Sequence, residues 1–340
     1  MINVNIANKY KDMLSRQFEY LRISVTDRCN YRCSYCMPAE IFNKNYSYIK
    51  QNKILSYEEI IQISSTLKKV GLKKIRITGG EPLLRKNIDK LIHKLKTEVG
   101  IEHVSMTTNG SLLTDEKLSI LKSSGLDSLT LSLDTLNSDK IIKINGTKKQ
   151  FDLDKVLQGI EKYFGKVKTN TVVIKGINDN EILDIIIKMI RINSEVRFIE
   201  YMDVGESNNW NLEKVVPSKD ILKSIKSRYS LSLIKTDKSS TAEKWSIENT
   251  NTSVGFISSI TEPFCSGCNR ARLSVDGKLY TCLFANEGYD LKTIIRNGAS
   301  EQDVLNYFQD IWTKRSDRYS ELRFINKSDL PKVEMSYIGG

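Results

Sequence analysis

Three cysteines, Cys29, Cys33 and Cys36, fall within eight residues of the stretch DRCNYRCSYCMP, and the other three are Cys265, Cys268 and Cys282. The spacings are Cys-x3-Cys-x2-Cys and Cys-x2-Cys-x13-Cys, so two sets of three use every cysteine in the chain. The first twenty residues lack the apolar run of a signal peptide, and no apolar stretch approaches a bilayer's thickness; IIIKMI at 185–190 is short and carries a lysine. A cytoplasmic protein is expected, where thiols stay reduced and clustered cysteines suggest metal ligands before disulfides. Zinc sites usually close with four ligands. The only histidines, His93 on an expected helix and His103 on an expected strand, give neither set an obvious fourth. Three thiolates suit instead a 4Fe-4S cluster with one iron left open, one cluster for each set. Zinc remains the alternative on spacing alone. An open fourth position is a place for something to bind.

The chain around these cysteines is basic, with 52 Lys and Arg against 41 Asp and Glu, a net charge of +11. Lysines are spread along the whole length, with no block of five or six like charges. Such a surface suits nucleic acid, a polyanionic small substrate or plain solvated helix faces, and charge alone does not choose. Trp210, Trp245 and Trp312 are scattered, and no aromatic-rich basic motif resembles a nucleic-acid reader. At 340 residues, 40% hydrophobic and 27% charged, the composition is that of a soluble globular protein with room for a sizeable core.

The elements that must position these groups alternate. Strands are expected at 18–26, 73–80, 102–110, 127–134, 167–176 and 195–203, and helices at 57–70, 87–100, 114–125, 153–165 and 178–192. Ser56 and Glu59 form an S-x-x-E capping box at the first helix, and Gly71 closes it. Six strands alternating with helices predict right-handed βα units on a parallel sheet. Inside the strands, side chains alternate between faces. Arg22, Ser24 and Thr26 oppose Ile23 and Val25; Lys74, Arg76 and Thr78 oppose Ile75 and Ile77. Ser128, Thr130, Ser132 and Asp134 oppose three leucines, while Lys168 pairs in face with Asn170 and Arg197 with Tyr201. Helices cover the apolar face, so the polar face looks inward. A closed eight-stranded barrel fills its interior with branched apolar side chains. A cationic, hydroxylic inner face suggests an open barrel around a polar ligand. A one-sided sheet with its polar face in solvent shows the same alternation, but converging Arg and Lys would be costly without an anion. The expected fold class is α/β: a partial (β/α)6 TIM-like barrel over 14–205, then a smaller C-terminal α+β domain over 206–340. In the latter a helix is expected at 217–229, short strands over 231–260, and helices near 290–297 and 300–315.

The first cysteine loop, placed just after a first strand, resembles the signature of the radical S-adenosylmethionine (SAM) superfamily. That resemblance implies that the open iron chelates the amino and carboxylate groups of SAM. An electron then cleaves SAM to methionine and a 5′-deoxyadenosyl radical, which abstracts hydrogen from substrate. Tyr35 matches an adenine contact, and Thr78-Gly79-Gly80-Glu81-Pro82 resembles the strand end whose backbone, at Gly80, accepts the SAM ammonium. The match then narrows. LRISVTDRCNYRCSYCMP, KKIRITGGEPLLR, TTNG, SLD, VRFIEYMDVG, FCSGCNRARLSVDGKLYTCLF and the terminal SYIGG occur in this order, from about residue 14 to the end. Together they resemble the GTP 3′,8-cyclase family, which performs the first step of molybdenum cofactor biosynthesis. The second cysteine set and the terminal Gly-Gly discriminate, because the whole superfamily shares the first set.

This resemblance implies hydrogen abstraction from ribose C3′ of GTP and attack of C3′ on guanine C8. Lys74, Arg76, Lys168 and Arg197 are then expected at the triphosphate, and Arg22, Arg270 and Arg272 across the gap between two 4Fe-4S clusters. Thr107 matches a GTP contact, and Ser132 and Met202 match SAM contacts. The cluster on Cys265, Cys268 and Cys282 would offer its open iron to guanine, and the tail residues Gly339 and Gly340 would enter the active site. Lys148 and Lys149 receive no role beyond a solvated loop. The partners implied are GTP, SAM, an electron donor of flavodoxin or ferredoxin type, cyclic pyranopterin monophosphate synthase and a second copy of the chain, with no nucleic acid and no membrane. Two rivals stand. Another radical SAM enzyme with an auxiliary cluster, such as a peptide-modifying maturase, tends to carry more cysteines in its appendage. A zinc-dependent, basic nucleic-acid-binding protein is the rival from a different class.

Overall fold

Branched apolar residues at every second position commit the first half of the chain to strands. The computed structural model, which describes residues 10–148, 151–325 and 331–340, has a strand at each expected place. They are β1 (Tyr20–Ser24), β2 (Lys74–Thr78), β3 (His103–Thr108), β4 (Ser128–Ser132), β5 (Val167–Val173) and β6 (Ser194–Glu200), paired in that order and all parallel. The helices between them are α1 (Tyr57–Lys68), α2 (Ile88–Thr97), α3 (Asp115–Ser123), α4 (Ser138–Asn145), α5 (Leu153–Phe164) and α6 (Ile182–Met189). Ser56 and Glu59 form the reciprocal capping box on α1, which ends at Lys68, ahead of Gly71. Helix α4 is an addition to the expected order. Asn137 caps it by accepting from the amides of Asp139 and Lys140, and Gly146 ends it at φ +62°. Only Ile144 and Asn145 of α4 are buried, too few to show as an apolar stripe.

The chain after residue 205 joins the same sheet. Helix α7 (Ser218–Lys226) is followed by β7 (Leu231–Ile234), β8 (Glu243–Ile247), β9 (Thr252–Ile257), β10 (Arg270–Leu273), β11 (Lys278–Tyr280) and β12 (Tyr289–Asp290). Helices α8 (Leu291–Arg296), α9 (Glu301–Thr313), α10 (Tyr319–Leu322) and α11 (Met335–Ile338) complete the described chain. Strand β9 lies parallel to β6, and β10 lies parallel to β1 on the opposite side of the six parallel strands. Antiparallel β8 and β7 extend one side and β11 and β12 the other, giving a 12-stranded sheet. Arg270 and Arg272 of β10 line one cavity with Ile257 of β9 and with Arg76 and Asn170 of the central strands. The two edges therefore curl toward each other, as an open barrel requires. The second cysteine set enters there, between β9 and β10 and after β11.

The core lies between the sheet's outer face and the helices. Leu21, Ile23, Ile75, Ile77, Val104, Met106 and Leu131 are fully buried on that face. Phe198 is buried there too, its ring 6.3 Å from Phe256 in a stacked pair. Phe198→Ala should destabilise the protein by about 3–5 kcal/mol, seen as a lower urea midpoint at unchanged slope. Among the described residues no helix is long and apolar enough to cross a membrane.

Candidate active site

The loop after β1 carries the first cysteine set and is wound tightly by its own backbone. The amides of Cys36 and Met37 donate to the Cys33 carbonyl at 3.0 and 2.8 Å. Arg32 clamps the loop, its Nη1 donating to the carbonyls of Cys29 and Tyr31, both at 2.8 Å, and its Nε to that of Phe42 at 2.7 Å. Helix α4 closes the other side, where the amides of Arg32 and Ser34 donate to the carbonyls of Asn145 and Ile144. Two side-chain amides point at sulfur: Asn145 Nδ2 lies 3.3 Å from Cys33 Sγ and Asn109 Nδ2 3.8 Å from Cys29 Sγ. Asn145 also donates to buried Asp134, which accepts from Tyr35 Oη at 2.8 Å. Burial pushes the Cys29 thiol up to about 11, and Cys33 and Cys36 well above the ordinary range. A bound metal centre removes such protons outright.

In the second set the Cys268 amide donates to the Cys265 carbonyl at 3.1 Å, and Arg315 Nη2 stands 3.3 Å from Cys268 Sγ. Burial opposes ionisation of Cys268, but the Arg270 and Arg315 charges outweigh it and bring its pKa down to about 7. Burial pushes Cys282 up to about 12. Among the described residues no group of three or more His, Cys, Asp or Glu converges tightly enough for a single metal ion. Each set nevertheless lines one cavity with all three thiols. Three thiols lining a cavity fit the thiolate donor set of an iron-sulfur cluster.

These two cavities meet at the C-terminal ends of the strands. The one at the first set, about 330 Å³, also exposes Gly79, Gly80 and Ser132; the one at the second set is about 200 Å³. Tyr35, Thr107, Asn170, Met335 and Gly340 line both.

Arginines from four strands wall the second cavity. Arg76 donates from Nη1 to Thr107 Oγ1 at 2.9 Å and Thr130 Oγ1 at 3.1 Å, and from Nε to Tyr20 Oη at 2.6 Å. Arg197 donates to Thr130 Oγ1 at 3.1 Å. Arg270 donates to the Ser239 carbonyl at 2.8 Å, and Arg22 Nε is buried without a partner among the described residues. Burial, reinforced by the neighbouring guanidiniums, lowers Arg22 and Arg197 to about 10 and Arg272 well below its usual range. Among the described residues the one ion pair these five arginines make is Arg197 with Glu195, at 3.5 Å. A cluster of cations with one carboxylate is built for an added anion.

The chain's end plugs the junction of the cavities. Glu334 accepts from Ser207 Oγ at 2.7 Å, and Tyr337 Oη donates to Asp276 Oδ1 at 2.5 Å, anchoring α11. Arg272 Nη1 then donates to the Gly339 carbonyl. Gly339 sits at φ +79°, and a Cβ there would collide with Thr78 Oγ1.

Residues 23–188 match the family described as Radical SAM superfamily, and residues 194–321 the one described as Molybdenum Cofactor Synthesis C. The chain is 42% identical over 337 residues to the GTP 3′,8-cyclase of Staphylococcus epidermidis, covering 97% of this chain and 98% of that one. It is 42% identical over 332 residues to the GTP 3′,8-cyclase of Aquifex aeolicus, covering 97% and 99%. The chain belongs to the GTP 3′,8-cyclase family. Among solved structures, Streptococcus suis SuiB bound to S-adenosylmethionine superposes with a TM-score of 0.60 over 92% of this chain and 70% of that one; at 17% identity this shows a shared fold.

Within this family member the expected site residues divide. Arg22, Arg76, Thr107, Arg197, Arg270 and Arg272 gather at the second cavity, and Gly80 and Ser132 at the first. Met202 lines the second cavity rather than the first, its sulfur accepting from Ser259 Oγ at 3.7 Å. Lys74 and Lys168 share the inner face but stand at the N-terminal ends of β2 and β5, and neither lines a cavity. Lys74 is exposed, and Lys168 is half-buried. Lys148 is exposed, and Lys149 lies outside the described residues.

Asn109, Asn145 and Glu81 were not expected at the site. Glu81 is buried and accepts from Thr108 Oγ1 and the Asn109 amide, both at 2.8 Å, tying the loop after β3 to the loop after β2. It follows Gly80 directly, so its position was readable; Asn145 had no signal, because it rides on the unexpected α4. Tyr20 was also passed over. Burial alone would raise its phenol, but Arg76 and Arg22 outweigh burial and lower it to about 7. The phenolate therefore persists above about pH 7, where it offsets part of the arginine charge, and that attraction is lost as pH falls through 7. Ultraviolet titration of the GTP-free protein should show one tyrosine ionising near neutrality, and Tyr20→Phe should abolish that step.

Proposed function

We propose that the chain converts GTP to (8S)-3′,8-cyclo-7,8-dihydroguanosine 5′-triphosphate, the first step of molybdenum cofactor biosynthesis. The observation that carries this reading is the arginine cluster walling the cavity of the second cysteine set, which adjoins the cavity of the first. Cys29, Cys33 and Cys36 would hold one 4Fe-4S cluster and Cys265, Cys268 and Cys282 a second, whose open iron would serve as a Lewis acid toward guanine. When bound, the first cluster and SAM together would supply a 5′-deoxyadenosyl radical that takes the C3′ hydrogen. C3′ would then bond to C8 as the C8–N7 double bond opens, and one further electron from the reduced donor with one proton would complete the 7,8-dihydro ring. Gly80 presents backbone to the SAM ammonium, Tyr35 backs the adenine and Ser132 completes the SAM site, with Met202 approaching it from the second cavity. Arg22, Arg76, Arg197, Arg270 and Arg272 hold the triphosphate and span the two ends of the nucleotide, with Thr107 beside them. Arginine suits this task because its planar fork fixes phosphate geometry. Lys74 and Lys168 act on the same anion as charges from the far ends of their strands. Orientation of C3′ against C8 is the main catalytic contribution of the protein, and exclusion of water protects the radical. The barrel over 14–205 and the second-cluster region over 206–340 are the functional units. The enzyme would work in the cytoplasm as a homodimer, take electrons from a flavodoxin- or ferredoxin-type donor, and pass its product to cyclic pyranopterin monophosphate synthase.

Metal analysis after anaerobic reconstitution tests the ligand assignment. About eight irons with matching sulfide are expected per chain, about four when Cys29, Cys33 and Cys36 become alanine, and about four when the second set does. One or two zincs without sulfide would overturn it.

A further inference from the structure

Behind the second cysteine set lies a buried ionic network that the reaction does not use directly. Arg315 and Asp12 are 1% and 0% exposed in their side chains, and Arg16 2%. Arg315 Nη1 donates to the Cys268 carbonyl at 2.8 Å and to Asp12 Oδ2 at 3.2 Å, Nε donates to Asp317 Oδ2 at 3.1 Å, and Nη2 reaches Cys268 Sγ at 3.3 Å. Its guanidinium also lies 4.5 Å from the centre of the Trp312 ring. Arg16 repeats the pattern at the other cysteine of the loop, donating to the Cys265 carbonyl at 2.9 Å and to Asp12 Oδ2 at 2.6 Å. Asp12 is thus the hub that aligns two guanidiniums from opposite ends of the chain. Four acceptors and an aromatic face leave Arg315 no freedom to turn away from the sulfur. A buried ion network of this kind adds little stability over an apolar packing of the same volume, so stability alone does not account for it.

The first set is dressed differently. Its sulfurs face the neutral amides of Asn145 and Asn109, at 3.3 and 3.8 Å. A charged donor on a ligand sulfur stabilises the more negative, reduced form of a cluster more than a neutral donor does.

We propose that Arg315 is a positioning residue that raises the reduction potential of the second cluster through its hydrogen bond to Cys268 Sγ, making that cluster easier to reduce than the first. The inference rests on the reading that the second set holds a cluster.

The test is a redox titration of the reconstituted full-length protein, followed by electron paramagnetic resonance, with the signal that SAM perturbs assigned to the first set. Arg315→Gln should keep the iron content and lower the midpoint of the second signal by about tenfold in the reduction equilibrium, about 59 mV for one electron. The first signal should stay in place, and Arg315→Lys, which keeps the charge without the fork, should recover part of the shift. An unmoved second midpoint at full iron content overturns the proposal, as does an equal shift in both signals. Loss of the second cluster's iron in both variants also overturns it, since Arg315 would then be only structural. About four irons in the unaltered protein would instead remove the two-cluster reading itself, and the proposal with it.

Discussion

Removal of Gly339 and Gly340 should leave the iron content unchanged and lower formation of the cyclised nucleotide by at least about a hundredfold. Among the described residues the tail makes no hydrogen bond to either cysteine loop, so cluster assembly has no reason to respond. It does occupy the junction: Gly340 lines both cavities, and the Gly339 carbonyl takes a hydrogen bond from Arg272. Without the tail, Arg272 loses a fixed partner and water gains a path to the reacting atoms. Gly339→Ala should behave similarly, because φ +79° disfavours any side chain and Thr78 Oγ1 already occupies the Cβ position. Iron assay and mass spectrometry of the nucleotide read the two effects separately. Turnover at the unaltered rate in the truncated protein would remove the tail from the active site.

The arginine cluster predicts opposite effects on binding and on stability. Arg22→Met should raise the KM for GTP by about 10–100-fold, the worth of one or two charged hydrogen bonds, with little change in the KM for SAM. The GTP-free protein should become more stable, by about 1–3 kcal/mol, because Arg22 Nε is buried among like charges and has no partner among the described residues. GTP should then shift the melting temperature of the unaltered protein far more than that of the variant. A variant that binds GTP normally, or that melts lower without it, would contradict the view of these arginines as an anion site maintained against stability.

Much of this arrangement was legible in the residues. Alternation in RISV, KIRIT and SLTLS separates an apolar outer face from a cationic inner one, and both cysteine spacings mark their loops. Local periodicity has no access to what lies far apart in sequence. RARL reads as a short strand only once β1 supplies its partner, so the parallel pairing of β10 with β1 and of β9 with β6 was missed. Helix α4 buries too little to show a stripe, and Asn145 was hidden with it. Asp12 and Arg315, which meet at 3.2 Å, are separated by nearly the whole chain, and neither sits in a motif. Lys74 and Lys168 fall on the expected face, but at the ends of their strands away from both cavities. Alternation assigns a face and not a height along the strand.

The central claim is that a radical made at the first cysteine set acts on GTP held by the arginines. The most direct measurement is anaerobic turnover of the reconstituted protein with SAM, GTP and dithionite, followed by mass spectrometry. The account predicts 5′-deoxyadenosine formed only when GTP is present, together with a new nucleotide of GTP's own mass. Deoxyadenosine made equally with or without GTP, and no altered nucleotide, would contradict the substrate assignment; no SAM cleavage despite two intact clusters would contradict the role given to Cys29, Cys33 and Cys36.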